Sequence, residues 1–108
     1  MVNLSKSKYC ALWQCPKMLW LRKYKPELAE VDSHTLSIME TGNAVGDLAM
    51  GLFGDFTEVT VYTDGEIDLP AMMRRTQEEI AKDTPVICEA SFEWNGLYCA
   101  VDILRREG

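Results

Sequence analysis

The chain has a single histidine, His34, among its 108 residues. It falls in residues 26–34, a stretch with no helical or strand period that reads as a linker. A lone surface imidazole there argues against His-dependent hydrolase chemistry within these residues. No apolar run approaches the roughly 20 residues that span a bilayer, and no signal-peptide core opens the chain, so a cytoplasmic protein is expected. Cys10 and Cys15 have C-x4-C spacing rather than the C-x2-C of a zinc ribbon, and two thiolates do not close a tetrahedral site. Cys88 and Cys99 read as small buried hydrophobes, so a disulfide framework is not expected. A chain of this length makes one domain with one modest core.

One sign of charge is missing from one end. Residues 1–26 contain no Asp or Glu, yet hold Lys6, Lys8, Lys17, Arg22, Lys23 and Lys25, while the net charge of the whole is −6. Phosphate contacts come mainly from Lys and Arg. The basic end therefore points to a polyanion, with Lys17, Arg22 and Lys23 as the expected nucleic-acid contacts; the plain alternative is the solvated face of amphipathic helices.

The stretch that organises the chain is residues 85–104. Two runs rich in β-formers flank Asn95-Gly96, the strongest short-range signal for a two-residue hairpin turn. Pairing Trp94 with Leu97 sets Phe92 opposite Cys99, Ala90 opposite Val101 and Glu89 opposite Asp102. Alternation then gives one apolar face running from Val86, Cys88 and Ala90 to Trp94, Leu97 and Val101, expected to be core. The other face carries Glu89, Ser91 and Asp102. Glu89 and Asp102 fall at a non-hydrogen-bonded position, with Cα atoms about 4.5 Å apart. Like charges so placed need a shared proton, a nearby cation such as Arg105 or Arg106, or a divalent metal; oxygen donors suit Mg²⁺ or Mn²⁺.

Around the hairpin the periodicity predicts helices. Ser5 is the expected N-cap of the first. Pro16 breaks it and opens a second over residues 16–24. The clearest helix covers residues 37–53, interrupted by Gly42 and Gly46. Each glycine weakens a helix by about 1 kcal/mol relative to alanine, so two on one face suggest close approach of another backbone. Glu40, Asn43 and Asp47 share a polar side of it, which is either solvated or turned toward the hairpin carboxylates. Residues 58–62 read as a short strand, Thr63-Asp64-Gly65 as a turn, and Asp68 as the N-cap of a helix reaching Lys82 with Met72, Met73, Thr76 and Ile80 inward.

Three pieces in this order resemble one family: Leu4-Ser5-Lys6-Ser7 with Cys15-Pro16-Lys17-x-x-Trp20, then Gly42-x-x-x-Gly46-Asp47-Leu48-Ala49, then Glu89 with Val101-Asp102-Ile103-Leu104. The set is similar to the front half of a RecB-like nuclease of the PD-(D/E)XK superfamily, close to the CRISPR-associated RecB-like exonucleases. The resemblance implies an α+β fold, with N-terminal helices and a small antiparallel sheet centred on the 86–104 hairpin, as in the first half of a restriction-endonuclease-like core. Residues 1–26 would be its basic helical segment and residues 37–104 a partial nuclease core.

The resemblance also implies chemistry. Asp102 matches the family's metal-binding aspartate, with Glu89 a second catalytic carboxylate and Asp47 a further ligand to Mg²⁺ or Mn²⁺. Cys15, or else Cys10, matches the N-terminal cysteine of relatives that hold an iron–sulfur cluster; the other three cysteines of that pattern are absent, so a cluster is expected only in a longer protein. The family's helix histidine is replaced by Gly46, and no Glu-x-Lys follows Asp102. The expectation is the N-terminal part of a DNA nuclease, inactive by itself, with an exposed sheet edge through which two copies could pair. The competing expectation is a non-catalytic nucleic-acid-binding or protein-interaction module.

Overall fold

A computed structural model describes residues 3–108. Among these residues the chain is α+β, with four α-helices, a mixed four-stranded sheet and a separate two-stranded ribbon. In order come β1 (Leu4–Ser5), α1 (Lys6–Gln14), α2 (Pro16–Tyr24), a 3₁₀ turn (Pro26–Leu28) and α3 (Ser33–Met50). Then follow β2 (Thr57–Glu58), β3 (Tyr62–Thr63), β4 (Glu66–Ile67), α4 (Leu69–Ala81), β5 (Val86–Trp94) and β6 (Leu97–Arg105).

Local chemistry sets most boundaries. Ser5 caps α1 by accepting from the Lys8 amide at 3.2 Å. Pro16 lacks the N–H that would continue α1 and instead starts α2. Asp68 caps α4 through the Ala71 amide at 3.0 Å. Asn95 and Gly96 turn the β5–β6 hairpin with φ of 50° and 81°, the two positive values of a tight type I′ turn.

The hairpin is the centre of the sheet, whose order is β1-β6-β5-β2. Its register runs from Trp94 opposite Leu97 to Val86 opposite Arg105, as the turn predicts. The sheet is not the small antiparallel one expected, because β1 and β2 join it parallel to β6 and β5. These outer strands are two residues each, so the hairpin supplies nearly all of the ladder. At the tip, the Asn3 and Leu4 amides both donate to the Gly96 carbonyl, at 2.8 and 3.0 Å. The φ of Gly96 favours glycine, and a Cβ there would lie 2.8 Å from Asn3 Nδ2, so the Asn3 side chain would have to swing aside.

The core lies between the hairpin and α4. Val59, Ile87 and Ala90 form its buried centre, with Phe92, Val101 and Leu104 packed against them. Met72 and Thr76 are the buried residues of α4, whereas Ile80, expected inward, is exposed.

Three further expectations are corrected. The apolar hairpin face is not core throughout, since Trp94 and Leu97 at the tip are exposed while Ser91, expected on the polar face, is buried. Alternation fails because strict period two would put Ile87 and Ala90 on opposite faces, yet both enter one cluster. The break falls at Glu89, whose φ is +60°. Second, α3 begins at Ser33, where Asp32 caps it by accepting from the Thr35 amide at 2.7 Å, so His34 lies in a helix and not in a linker. Third, a Cβ at Gly42 or Gly46 would meet nothing within 4 Å, so among the described residues no backbone approaches α3 closely there.

Candidate functional site

Glu89 and Asp102 line one cleft of about 720 Å³, whose opposite wall is α3. The hairpin register carries the two carboxylates to adjacent positions on neighbouring strands: Cys88 pairs with Ile103 and Ala90 with Val101, leaving Glu89 and Asp102 between them. They are not themselves a paired position of the ladder, because Glu89 leaves the β region. From α3 the cleft receives Gly42, Asn43, Gly46 and Asp47. The two glycines add no side chain to that wall, which Asn43 and Asp47 line beside them.

A left-handed φ costs an L residue roughly 1–2 kcal/mol, and surrounding bonds hold Glu89 in it. Ser91 Oγ donates to the Glu89 carbonyl at 3.0 Å. With its proton so used, it accepts from the Tyr98 hydroxyl at 2.9 Å. The Ser91 amide donates to Thr76 Oγ1 at 2.9 Å, and that hydroxyl donates to the Met72 carbonyl at 2.8 Å. A continuous set of hydrogen bonds thus runs from α4 through Ser91 to the backbone of Glu89.

The electrostatics are those of crowded carboxylates. The Glu89 carboxyl is pushed above its ordinary value first by burial, then by the charges of Asp102 and Glu58. Burial likewise raises the Cys88 thiol, with Glu58 and Glu89 adding to it. Sequence reasoning missed Glu58. It sits on β2 beside Cys88, accepts from Thr60 Oγ1 at 2.9 Å, and reaches the site through a parallel strand pairing that leaves no local signal. Arginine does not ease the pair. Arg106 bridges to Asp83 at 3.2 Å and Arg105 to Glu107 at 3.9 Å, with the Arg105 guanidinium 4.7 Å from the Phe53 ring centre. Among the described residues neither Glu89 nor Asp102 makes a salt bridge.

The other expected site residues lie apart. Asp47 lines the same cleft, but among the described residues no three His, Cys, Asp or Glu side chains converge closely enough to hold a metal by themselves. Two carboxylates remain a fitting donor set, since Mg²⁺ is ordinarily held by one or two carboxylates with water and phosphate oxygens completing the shell. An iron–sulfur cluster does not fit these residues. It needs about four thiolates, whereas Cys10 and Cys15 are exposed on the N-terminal helices and Cys88 is buried in the sheet. Lys17, Arg22 and Lys23 are exposed on α2, with the Lys23 ammonium 5.3 Å from the Tyr24 ring centre.

No family model, curated protein or solved structure matches this chain. Among the described residues no helix is long and apolar enough to cross a membrane.

Proposed function

We propose that this chain carries the carboxylate half of a divalent-metal site for phosphodiester hydrolysis, as the N-terminal part of a DNA nuclease of the RecB-like, PD-(D/E)XK type. The observation that supports the reading is the unrelieved pairing of Glu89 with Asp102 in an open cleft. Mg²⁺ or Mn²⁺ bound there would polarise a phosphate and lower the pKa of a water. Asp102 and Glu89 would hold it, and the open cleft between them and α3 would admit the phosphate backbone. Hydrolysis in this family further requires a Glu-x-Lys, which residues 103–108 do not contain. The test therefore reads metal rather than cleavage.

Mn²⁺ added to the isotopically labelled chain should broaden the amide signals of Glu89, Asp102 and the facing turn of α3. The broadening should disappear in Asp102→Asn and in Glu89→Gln. Because the metal competes with a proton on a carboxyl of raised pKa, binding should tighten as pH rises through that pKa. Broadening that is absent, or that survives both substitutions, overturns the proposal. The alternative module reading is favoured by the exposed basic α1–α2 surface. It predicts nucleic-acid binding that falls steeply with salt, needs Lys17, Arg22 and Lys23, and ignores Asp102→Ala.

A further inference from the structure

The second cavity of interest lies at the far end of the hairpin from the carboxylates. It is an apolar hollow of about 640 Å³ between the start of α1 and the β5–β6 tip, lined by Tyr9, Phe92, Trp94 and Leu97 among others. Its size falls within the range of small-molecule pockets, roughly 300–1,000 Å³. Trp94 is 76% exposed and Tyr9 is exposed as well. The backbone positions that carry them are fixed. Asn95-Gly96 fixes Trp94 at the turn, and the Asn3 and Leu4 bonds to Gly96 fix α1 beside it.

Charge says what such a surface fits. Lys6 lines the hollow and opens α1, whose first turn holds no acidic residue. Glu93 also lines it, so the lining itself is close to neutral; the positive balance comes from the flanking helices. Along their sequence, exposed rings are interspersed with cations: Tyr9 and Trp13 meet edge to face at 6.3 Å, Trp20 and Tyr24 lie tilted with ring centres 5.3 Å apart, and Lys8, Lys17, Arg22 and Lys23 fall between or beside them in the chain. An apolar peptide gives the cations nothing to meet, and an anionic lipid surface takes up strongly two-faced helices, whereas α1 and α2 separate apolar from polar side chains only weakly. A duplex keeps its bases stacked inside and gives the rings nothing to meet. An unpaired strand offers both a phosphate for each cation and a base face for each ring.

We propose that the hollow between α1 and the hairpin tip receives an unpaired nucleobase, stacked on Trp94 with its phosphate at Lys6, and that α1 and α2 continue the track for single-stranded nucleic acid. The proposal shares its class of partner with the nuclease reading but uses none of the cleft residues.

The test uses the full chain with EDTA present, so that binding is read without metal. Titration with an oligothymidylate of about 15 nucleotides, a length that covers one binding site, should quench tryptophan fluorescence. Affinity should fall as salt rises. Trp94→Ala, at an exposed position, should weaken binding by roughly tenfold or more, the loss of one stacked base. Lys6→Ala should weaken it and flatten the salt dependence. Asp102→Asn should leave binding unchanged. An abasic strand that binds as tightly as the oligothymidylate, a duplex that binds as tightly as the single strand, or binding indifferent to Trp94→Ala overturns the proposal. So does a dimer of this chain that Trp94→Ala dissociates, since the hollow would then be a subunit contact. None of these failures touches the Mn²⁺ signal at Glu89 and Asp102, and loss of that signal leaves this binding intact.

Discussion

Helices α3 and α4 face different parts of the same hairpin and are built on opposite principles. The shorter, α4, is strongly two-faced and buries Met72 and Thr76 against β5. The longer, α3, is on average the more hydrophobic yet buries none of its residues, and its Leu48 is 80% exposed. Apolar content therefore does not say where the core is. What distinguishes α4 is that its apolar residues repeat on one stripe and that Thr76 satisfies a backbone amide inside the core. The two glycines and Asp47 place α3 along the cleft instead, as a wall that touches little.

The sharpest test of this contrast removes one aliphatic side chain from each region. Ile87, 2% exposed, should cost about 2–5 kcal/mol on truncation to alanine. Leu48→Ala should stay within about 0.5 kcal/mol of the parent. Urea unfolding of the two variants reads both, and a Leu48→Ala loss comparable to that of Ile87→Ala would end the comparison.

Thr76 carries the next largest effect. Its side chain is fully buried, and Thr76→Val keeps the shape while leaving the Ser91 amide without its acceptor. Such an orphaned group costs about 1–3 kcal/mol. Thr76→Ser retains the hydroxyl and should recover most of the loss. Equal losses for Val and Ser would mean that packing, not the hydrogen bond, joins α4 to the hairpin.

A smaller effect has an unusual sign. In a strand, glycine is ordinarily less stable than alanine by roughly 0.5–1 kcal/mol. At Glu89 the positive φ reverses the order, because the left-handed region penalises any Cβ by roughly 1–2 kcal/mol. Glu89→Gly should therefore unfold at a higher urea concentration than Glu89→Ala, both having lost the carboxylate. The reverse order would show that Glu89 lies in the ordinary β region in solution.

The signals that were legible in the sequence are local ones. Asn95-Gly96 specified the turn and, through it, the ladder from Trp94–Leu97 outward apart from the Glu89–Asp102 position; Ser5 and Asp68 specified helix starts by hydrogen bonds that reach three residues, and Pro16 did so by the N–H it lacks. The placement of Glu89 beside Asp102 followed from that register alone. What the sequence hid depends on distant partners. The parallel bridges of β1 and β2 are two residues each, too short for any period, and one of them brings Glu58 toward the site. The left-handed Glu89 has no glycine or asparagine to announce it; it is held by Ser91, Tyr98 and Thr76. Helix α3 started early because Asp32 caps residues whose weak apolar pattern reads as linker.

The mildest prediction concerns protons at the cleft and distinguishes it from the helix caps. Glu89 has a raised pKa in the folded chain, so over the interval between its unfolded and folded values the native state binds more protons than the unfolded one. Its contribution to stability is then fully present below the unfolded value and is lost as pH rises through the folded value. Asp32 and Asp68 behave oppositely. Hydrogen bonding from Thr35 lowers the first, and the Ala71 amide followed by Thr63 lowers the second. They contribute above the ordinary aspartate value and lose that contribution as pH falls. Thermal melts should thus show a decline on the alkaline side of the glutamate range that Glu89→Gln abolishes and Asp32→Asn leaves in place. Mn²⁺ should suppress the same decline, since a cation between the carboxylates removes the repulsion that protonation otherwise relieves. A decline that persists in Glu89→Gln would assign the titration to another group and leave the pairing with Asp102 electrostatically silent.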